Sequence, residues 1–307
     1  VAKSNGVTGW KRPIASDHFH QDDQDMAVAL VGVDFSATPT RAKPITVAHA
    51  YWCKDGGLSA VHVERLQTLP RLDDFERLLS QPGPWVGGFD FPFGLPRELV
   101  RAMGWPLQWP ALIQTFSALP RPDLRDRFRA FCAARPAGGK FAHRATDRPA
   151  GSSPSMKWVN PPVAWMLHAG APRLLKAGVH IPGLFEGDPG RVALEAYPGL
   201  VARSITRDSY KSDDRARQNA ARASARQKIM QALTAGEHCL GVPVRWARPV
   251  REQLDDDPRG DWLDAVLCAV QAGWAQASGP GWGLPTDVDP LEGWIVGAKP
   301  SASAASG

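Results

Sequence analysis

Val28-Ala29-Leu30-Val31-Gly32-Val33-Asp34-Phe35-Ser36 is a run of β-favouring apolar residues, long enough for one buried strand, with a single carboxylate near its C-terminal end. Small and turn-forming residues follow at once (Ala37-Thr38-Pro39-Thr40), so the strand stops there. A charge at the tip of an apolar strand costs free energy unless something pairs with it. Asp34 is therefore either the cap of a turn or a ligand for a cation, and the rest of the chain has to decide between them.

Working outward, Ile45–Trp52 alternates and reads as a second strand. Lys54-Asp55-Gly56-Gly57 is a turn signal, and Leu58–Leu66 reads as the returning strand of a hairpin. Leu72, Phe75, Leu78 and Leu79 recur at helical spacing, and Trp85-Val86-Gly87-Gly88-Phe89-Asp90 is a fourth strand that also ends on an Asp. The order is β-β-β-α-β. From about residue 95 to 190 the chain is rich in Pro, Trp and Arg, with short helical stretches, and is expected to be an insertion beside the sheet. Arg191–Tyr197 is a strand carrying Glu195, Ser212–Leu233 reads as a basic helix, and Trp262–Ala275 as an amphipathic closing helix.

Residues 1–25 and 297–307 lack periodicity and are expected to be disordered flanks of one domain over 26–296. The 307 residues are 43% hydrophobic and 22% charged, which points to a globular protein. No run approaches the roughly 18 apolar residues of a membrane span, so no membrane partner is expected and a cytoplasmic location is the default. Four separated cysteines form no CxxC pair, so neither a zinc site nor a disulfide framework is suggested. A net charge of +5 is compatible with a polyanionic partner without requiring one.

Four acidic positions recur at element ends: Asp34, Asp90, Glu195 and the pair Asp261/Asp264, which are one helical turn apart. Carboxylate oxygens are the natural ligands of Mg²⁺ and Mn²⁺. Each residue also has a plainer reading. Asp90 could organise the following turn, Glu195 could pair with an Arg of the basic helix, and Asp261 has the position of a helix N-cap.

Gly32-Val33-Asp34-Phe35-Ser36, Gly88-Phe89-Asp90-Phe91-Pro92-Phe93-Gly94, Glu195-Ala196-Tyr197-Pro198 and Asp261-Trp262-Leu263-Asp264-Ala265 resemble the DUF429 family of predicted RNase H-like nucleases over roughly residues 26–277. The resemblance implies an α/β, RNase H-like fold. That fold is a five-stranded mixed sheet with its first three strands antiparallel, flanked by helices, here with a large helical and loop insertion after the fourth strand. Within the wider superfamily the chain looks most like the RuvC resolvase branch. Asp34, Asp90 and Asp264 would then bind the metal, Asp261 would support them, and Glu195 would be a further catalytic carboxylate. The large insertion is absent from a minimal resolvase, so a junction substrate does not carry over.

The insertion places cations beside aromatic groups in Lys140-Phe141-Ala142-His143-Arg144 and Lys157-Trp158. Lys140 and Arg144 are candidate phosphate contacts and His143 and Lys157 candidate proton donors or phosphate contacts, with Trp158 a stacking platform, and Ser36 and Lys211 complete the candidate substrate-binding set. The plainer reading makes Trp158 and Trp165 core anchors, the cations around them a solvated rim, and the arginines after Lys211 a solvated helix face.

The expectation is thus a Mg²⁺- or Mn²⁺-dependent nuclease acting on DNA or RNA, its oligomeric state open. An actin- or sugar-kinase-like phosphotransferase or ATPase, using the hydroxyls of Ser36, Thr38 and Thr40, is one alternative. A non-catalytic RNase H-like binding module is the other.

Overall fold

A computed structural model describes residues 28–55, 58–136 and 138–300. The expected N-terminal extension, and Gly56-Gly57 of the expected turn, lie outside the described residues. Strand β1 (Val28–Asp34) leads into β2 (Ile45–Asp55), β3 (Leu58–Leu69), helix α1 (Leu72–Leu79) and β4 (Trp85–Phe89). The insertion follows as α2 (Arg97–Ala102), α3 (Trp109–Ala118), α4 (Arg121–Ala133), α5 (Asp147–Ala150) and α6 (Val163–Ala177). Then come β5 (Val179–His180), β6 (Asp188–Glu195), α7 (Pro198–Ile205), α8 (Ala220–Ala235), β7 (Val244–Trp246), α9 (Arg248–Asp255) and α10 (Asp261–Ala277).

These strands form one mixed sheet in the order β5-β6-β4-β1-β2-β3-β7. The first three strands pair antiparallel, whereas β4, β6 and β5 extend the sheet in parallel from β1. Seven strands replace the five expected. The additions are the edge strands β5 and β7, of two and three residues, too short to leave a period in the sequence. Among the described residues, no helix is long and apolar enough to cross a membrane.

Two cores lie on opposite faces of the sheet. On one, Val31, Val33 and Phe89 pack with α1 and the insertion, in a cluster including Phe35, Phe75, Phe91 and Phe93. The Phe35 and Phe91 rings are 4.6 Å apart. On the other, Leu30, Val86, Val192 and Leu194 pack with α10 and its neighbours. The basic helix is shorter than expected. Asn219 caps α8 by accepting the Arg222 N–H at 3.1 Å, and Asp214 accepts the Ala216 N–H at 3.0 Å to build a separate turn over Arg215–Arg217. Asx side chains offer the backbone these local alternatives to a continuous helix. The tail expectation changes too. Ala298 is buried and its carbonyl accepts the Trp294 indole N–H at 3.0 Å, so the chain is packed at least that far, and residues 301–307 lie outside the described residues.

Helix α10 runs across β1, β2 and β4, and two glycines let it do so. A Cβ on Gly32 would stand 1.9 Å from the Ala265 carbonyl oxygen, and one on Gly88 would stand 2.3 Å from that of Cys268. Both neighbours are helix backbone and cannot rotate away. Gly32→Ala should therefore push α10 off the sheet and cost about 2–3 kcal/mol. Thermal denaturation checks this, and an unchanged Tm would mean that the close approach is not required.

Candidate active site

The register of the parallel strands sets out the site. Val33, Phe89 and Glu195 form one row across β1, β4 and β6. The next residues, Asp34 at the end of β1 and Asp90 and Ala196 just past β4 and β6, continue it: the Asp90 N–H donates to Val33 O at 2.9 Å and the Ala196 N–H to Phe89 O at 3.0 Å. Side chains alternate along a strand. Asp34 shares the face of Gly32, and Asp90 that of Gly88, so both point toward α10. Glu195 shares the face of Ala193 and points the other way.

Helix α10 brings a third carboxylate. Asp264 lies in its first turn, fully buried. The Tyr210 hydroxyl donates to Asp264 Oδ1 at 2.5 Å, and the Lys211 ammonium pairs with Oδ2. Both residues come from the irregular segment between α7 and α8, where Arg226 Nη1 donates to the Tyr210 carbonyl at 2.8 Å. Lys211 is thus a partner of the acidic cluster, and Arg226, expected on a solvated face, is buried under the loop that carries it.

The electrostatics follow from crowding. Burial raises the Asp34 carboxyl well above its ordinary value, Asp264 and Asp90 add to this, and Lys211 opposes it. Asp90 is pushed up to about 7, by burial first, with Lys211 opposing and Asp264 and Glu195 adding. Asp261 rises to about 6 through burial and its neighbours Asp257 and Asp264. At Lys211 burial works against the charge, but Asp264, Tyr210, Asp34 and Asp90 outweigh it and hold the ammonium well above its ordinary value. Neither Asp34 nor Asp90 accepts a side-chain hydrogen bond from another described residue, so Lys211 is the cation that answers them.

This has a pH consequence. Between about pH 4 and 7 the folded chain holds a proton at Asp90 that the unfolded chain has released, so stability falls as pH rises through that window. In metal-free buffer Asp90→Asn should flatten that part of the Tm profile. Parallel profiles for the two proteins would remove Asp90 from the cluster.

Asp261 is not the N-cap its position suggested. It is the first residue of α10, and Asp257 does the capping by accepting the Trp262 N–H at 2.9 Å. The Asp261 carbonyl accepts from the Thr46 hydroxyl at 2.9 Å, tying the helix start to β2. Cys268, four residues beyond Asp264, is also buried beside the cluster, and its thiol is pushed up by burial and then by Asp90, Asp34 and Asp264. Tyr210 and Cys268 were not singled out from the sequence. The i, i+4 spacing from Asp264 was the available signal for Cys268, whereas Tyr210 had none beyond its adjacency to Lys211.

Glu195 and Arg144 form a separate centre on the opposite face. Arg144 Nη1 and Nη2 donate to Glu195 Oε2 and Oε1 at 2.7 and 2.6 Å, and the Phe93 N–H donates to Oε2 at 2.9 Å. Arg144 Nε reaches Asp147 Oδ1 at 3.0 Å, and Nη1 also reaches the Glu292 carbonyl at 2.9 Å. Burial raises the Glu195 carboxyl above its ordinary value, and the Arg144 guanidinium and the Phe93 N–H work against that rise. Arg144 is 2% exposed with its donors engaged inside the protein, which corrects its expected role as a phosphate contact. The plainer reading of Glu195 anticipated an Arg partner but placed it on the basic helix. The two faces meet at the carboxyl edge of the sheet, in a crevice lined by Asp90, Phe91, Arg144, Ser152, Glu195 and Tyr197.

The other candidates stand apart from the carboxylates. Trp158 is 8% exposed and packs on Phe128 and Phe141, so it anchors the insertion's core and offers no stacking platform. Lys140 lies over the Phe141 ring and shares an open cleft with His143, Glu98, Arg135 and Arg148. Burial pulls the His143 imidazole below its ordinary value. Lys157 is half-buried, and Ser36 is half-buried two residues beyond Asp34.

Fold and site together define a single-sheet α/β protein with an acidic cluster, neutralised in part by a lysine, at the carboxyl ends of its parallel strands. No family model matches this chain, and neither do any curated protein or solved structure. Among the described residues, no three Asp, Glu, His or Cys side chains form a ready-made metal cage. The donor set would nevertheless suit Mg²⁺ or Mn²⁺, since Asp34 and Asp90 are neighbouring hard-oxygen carboxylates short of positive charge. Mg²⁺ characteristically uses one or two carboxylates, several waters and a substrate phosphate in preference to an all-protein cage.

Proposed function

We propose that the chain is a divalent-metal-dependent nuclease of RNase H-like fold, hydrolysing phosphodiester bonds of DNA or RNA. The observation that carries this is Asp34 beside Asp90 at the ends of adjacent parallel strands, both facing Asp264 and neither accepting a side-chain hydrogen bond from another described residue. Support for the fold comes from the five inner strands β6-β4-β1-β2-β3, which have the antiparallel first three strands that the motif resemblance implies.

Asp34 and Asp90 would hold the ion, with Asp264 alongside. A bound Mg²⁺ or Mn²⁺ supplies an activated water and positive charge for the phosphate. The chain's own residues do the rest. Tyr210 fixes the Asp264 carboxylate, Lys211 offsets its charge, and Asp257 sets the start of α10 that carries it. Ser36 stands at the rim, and the net charge of +5 favours a polyanion. The test is cleavage of single- and double-stranded DNA and RNA with Mg²⁺ or Mn²⁺. No cleavage of any of them, together with an Asp34→Asn protein indistinguishable from wild type, would refute the proposal.

One observation favours the non-catalytic reading: both oxygens of Asp264 are already taken by Lys211 and Tyr210. A module neutralised for good by its lysine would show no rise in Tm with Mn²⁺. A nuclease site would.

A further inference from the structure

Lys211 is a built part of the acidic cluster and no chance surface lysine. Its ammonium meets Asp264 Oδ2 while Tyr210 meets Oδ1. The backbone carrying it is held at two points from helix α8: Arg226 Nη1 donates to the Tyr210 carbonyl at 2.8 Å, and Arg222 Nε donates to the Lys211 carbonyl at 3.2 Å. Beneath it, a Cβ on Gly260 would stand 2.9 Å from Lys211 Cβ, so the loop lies close on the start of α10. The side chain keeps 45% of its exposure. An ammonium has three donors, so it still has donors to offer toward the mouth of the site while one is committed to Asp264.

Charge completes the argument. With an ion bound, the three carboxylates that act on Lys211, Asp34, Asp90 and Asp264, would bring three negative charges, and Lys211 removes one. The two that remain match a single divalent ion, whereas two divalent ions would leave the cluster with an excess of positive charge that Lys211 would have to leave to relieve.

We propose that Lys211 is the permanent second cation of this centre, so that the site takes one divalent ion and the ammonium occupies the place of the other. This rests on reading the cluster as a divalent-ion site. An ammonium neutralises charge and donates hydrogen bonds but cannot acidify a water. The two cationic roles of the centre are thereby divided: water activation belongs to the ion beside Asp34 and Asp90, and charge compensation beside Asp264 belongs to Lys211.

The experiment is Mn²⁺ binding to the full chain, followed by equilibrium dialysis and by the electron paramagnetic resonance spectrum of the bound ion. Wild type is expected to bind one Mn²⁺ with an uncoupled spectrum, since two ions about 3.5–4 Å apart would be exchange-coupled. Lys211→Met keeps the aliphatic stem and removes the charge. It should bind a second Mn²⁺, or bind the first at least about tenfold more tightly, a change worth about 1.4 kcal/mol. Lys211→Arg and Tyr210→Phe should stay at one. Two coupled ions in wild type would overturn the inference and leave the nuclease reading standing, and so would a folded Lys211→Met protein with unchanged stoichiometry and affinity. No Mn²⁺ bound by wild type would overturn both. The wild-type spectrum decides between one ion and two even if Lys211→Met fails to fold.

Discussion

Arg144→Met is expected to lower the stability of the chain by about 3–5 kcal/mol, the usual penalty for removing one partner of a buried ion pair. The reason is what it leaves behind. Glu195 and Asp147 are both buried, and Arg144 alone spans them, with Nε and Nη2 on Asp147 and both Nη groups on Glu195. Without it, Glu195 keeps, among the described residues, only the Phe93 N–H, and two carboxylates remain in the core without the guanidinium that bridges them. Chemical denaturation measures the loss, and Tm should fall on the order of 10 °C. The double variant Arg144→Met/Glu195→Met should recover part of it, because a buried pair exchanged for apolar groups is often close to neutral. A stable Arg144→Met protein that binds nucleic acid poorly would instead return Arg144 to the role of phosphate contact.

Asp34→Asn should move stability and activity in opposite directions. In the folded chain the Asp34 carboxyl is raised well above its ordinary value by burial and by Asp264. At neutral pH its ionised form therefore costs stability relative to the unfolded chain. Asparagine removes that charge at nearly constant volume, so the metal-free variant should melt higher than wild type. The same change takes a charged ligand from the proposed ion. The rise in Tm on adding Mn²⁺ should shrink, and cleavage should fall about 10²–10³-fold, equivalent to losing roughly 3–4 kcal/mol of transition-state stabilisation. Calorimetry with and without Mn²⁺ checks the first part and a cleavage assay the second. A variant that melts lower than wild type and keeps its full response to Mn²⁺ would mean that Asp34 is a structural cap.

The outcomes for Glu195, Lys211 and Asp261 show where local pattern stops being informative. The facing of Glu195 was latent in its strand: Val192 and Leu194 join one core and Ala193 the other, so parity alone separates Glu195 from Asp34 and Asp90 once the register is known. Register between strands more than a hundred residues apart is not a local property. Asp261 looked like a cap by position, but Asp257 was four residues nearer the preceding helix and took the amide first. Lys211 looked like one charge in a basic run. Its partner Asp264 is 53 residues away, and the arginine that fixes its loop acts from the helix in between.

What the sequence determined by itself was the set of elements and the acidic residues at their ends, because the alternation of a strand and the turn of a helix are written within a few residues. The first strand with Asp34, the fourth with Asp90 and the closing helix with Asp264 were legible for that reason. Only the tertiary structure decided which carboxylates share a face, which is tied up by Arg144, and that a lysine stands among the others. Those are contacts between segments that meet only when the sheet closes and α10 settles against Gly32 and Gly88. The energies that choose the partners, burial of charge and pairing at short range, have no counterpart along the unfolded chain.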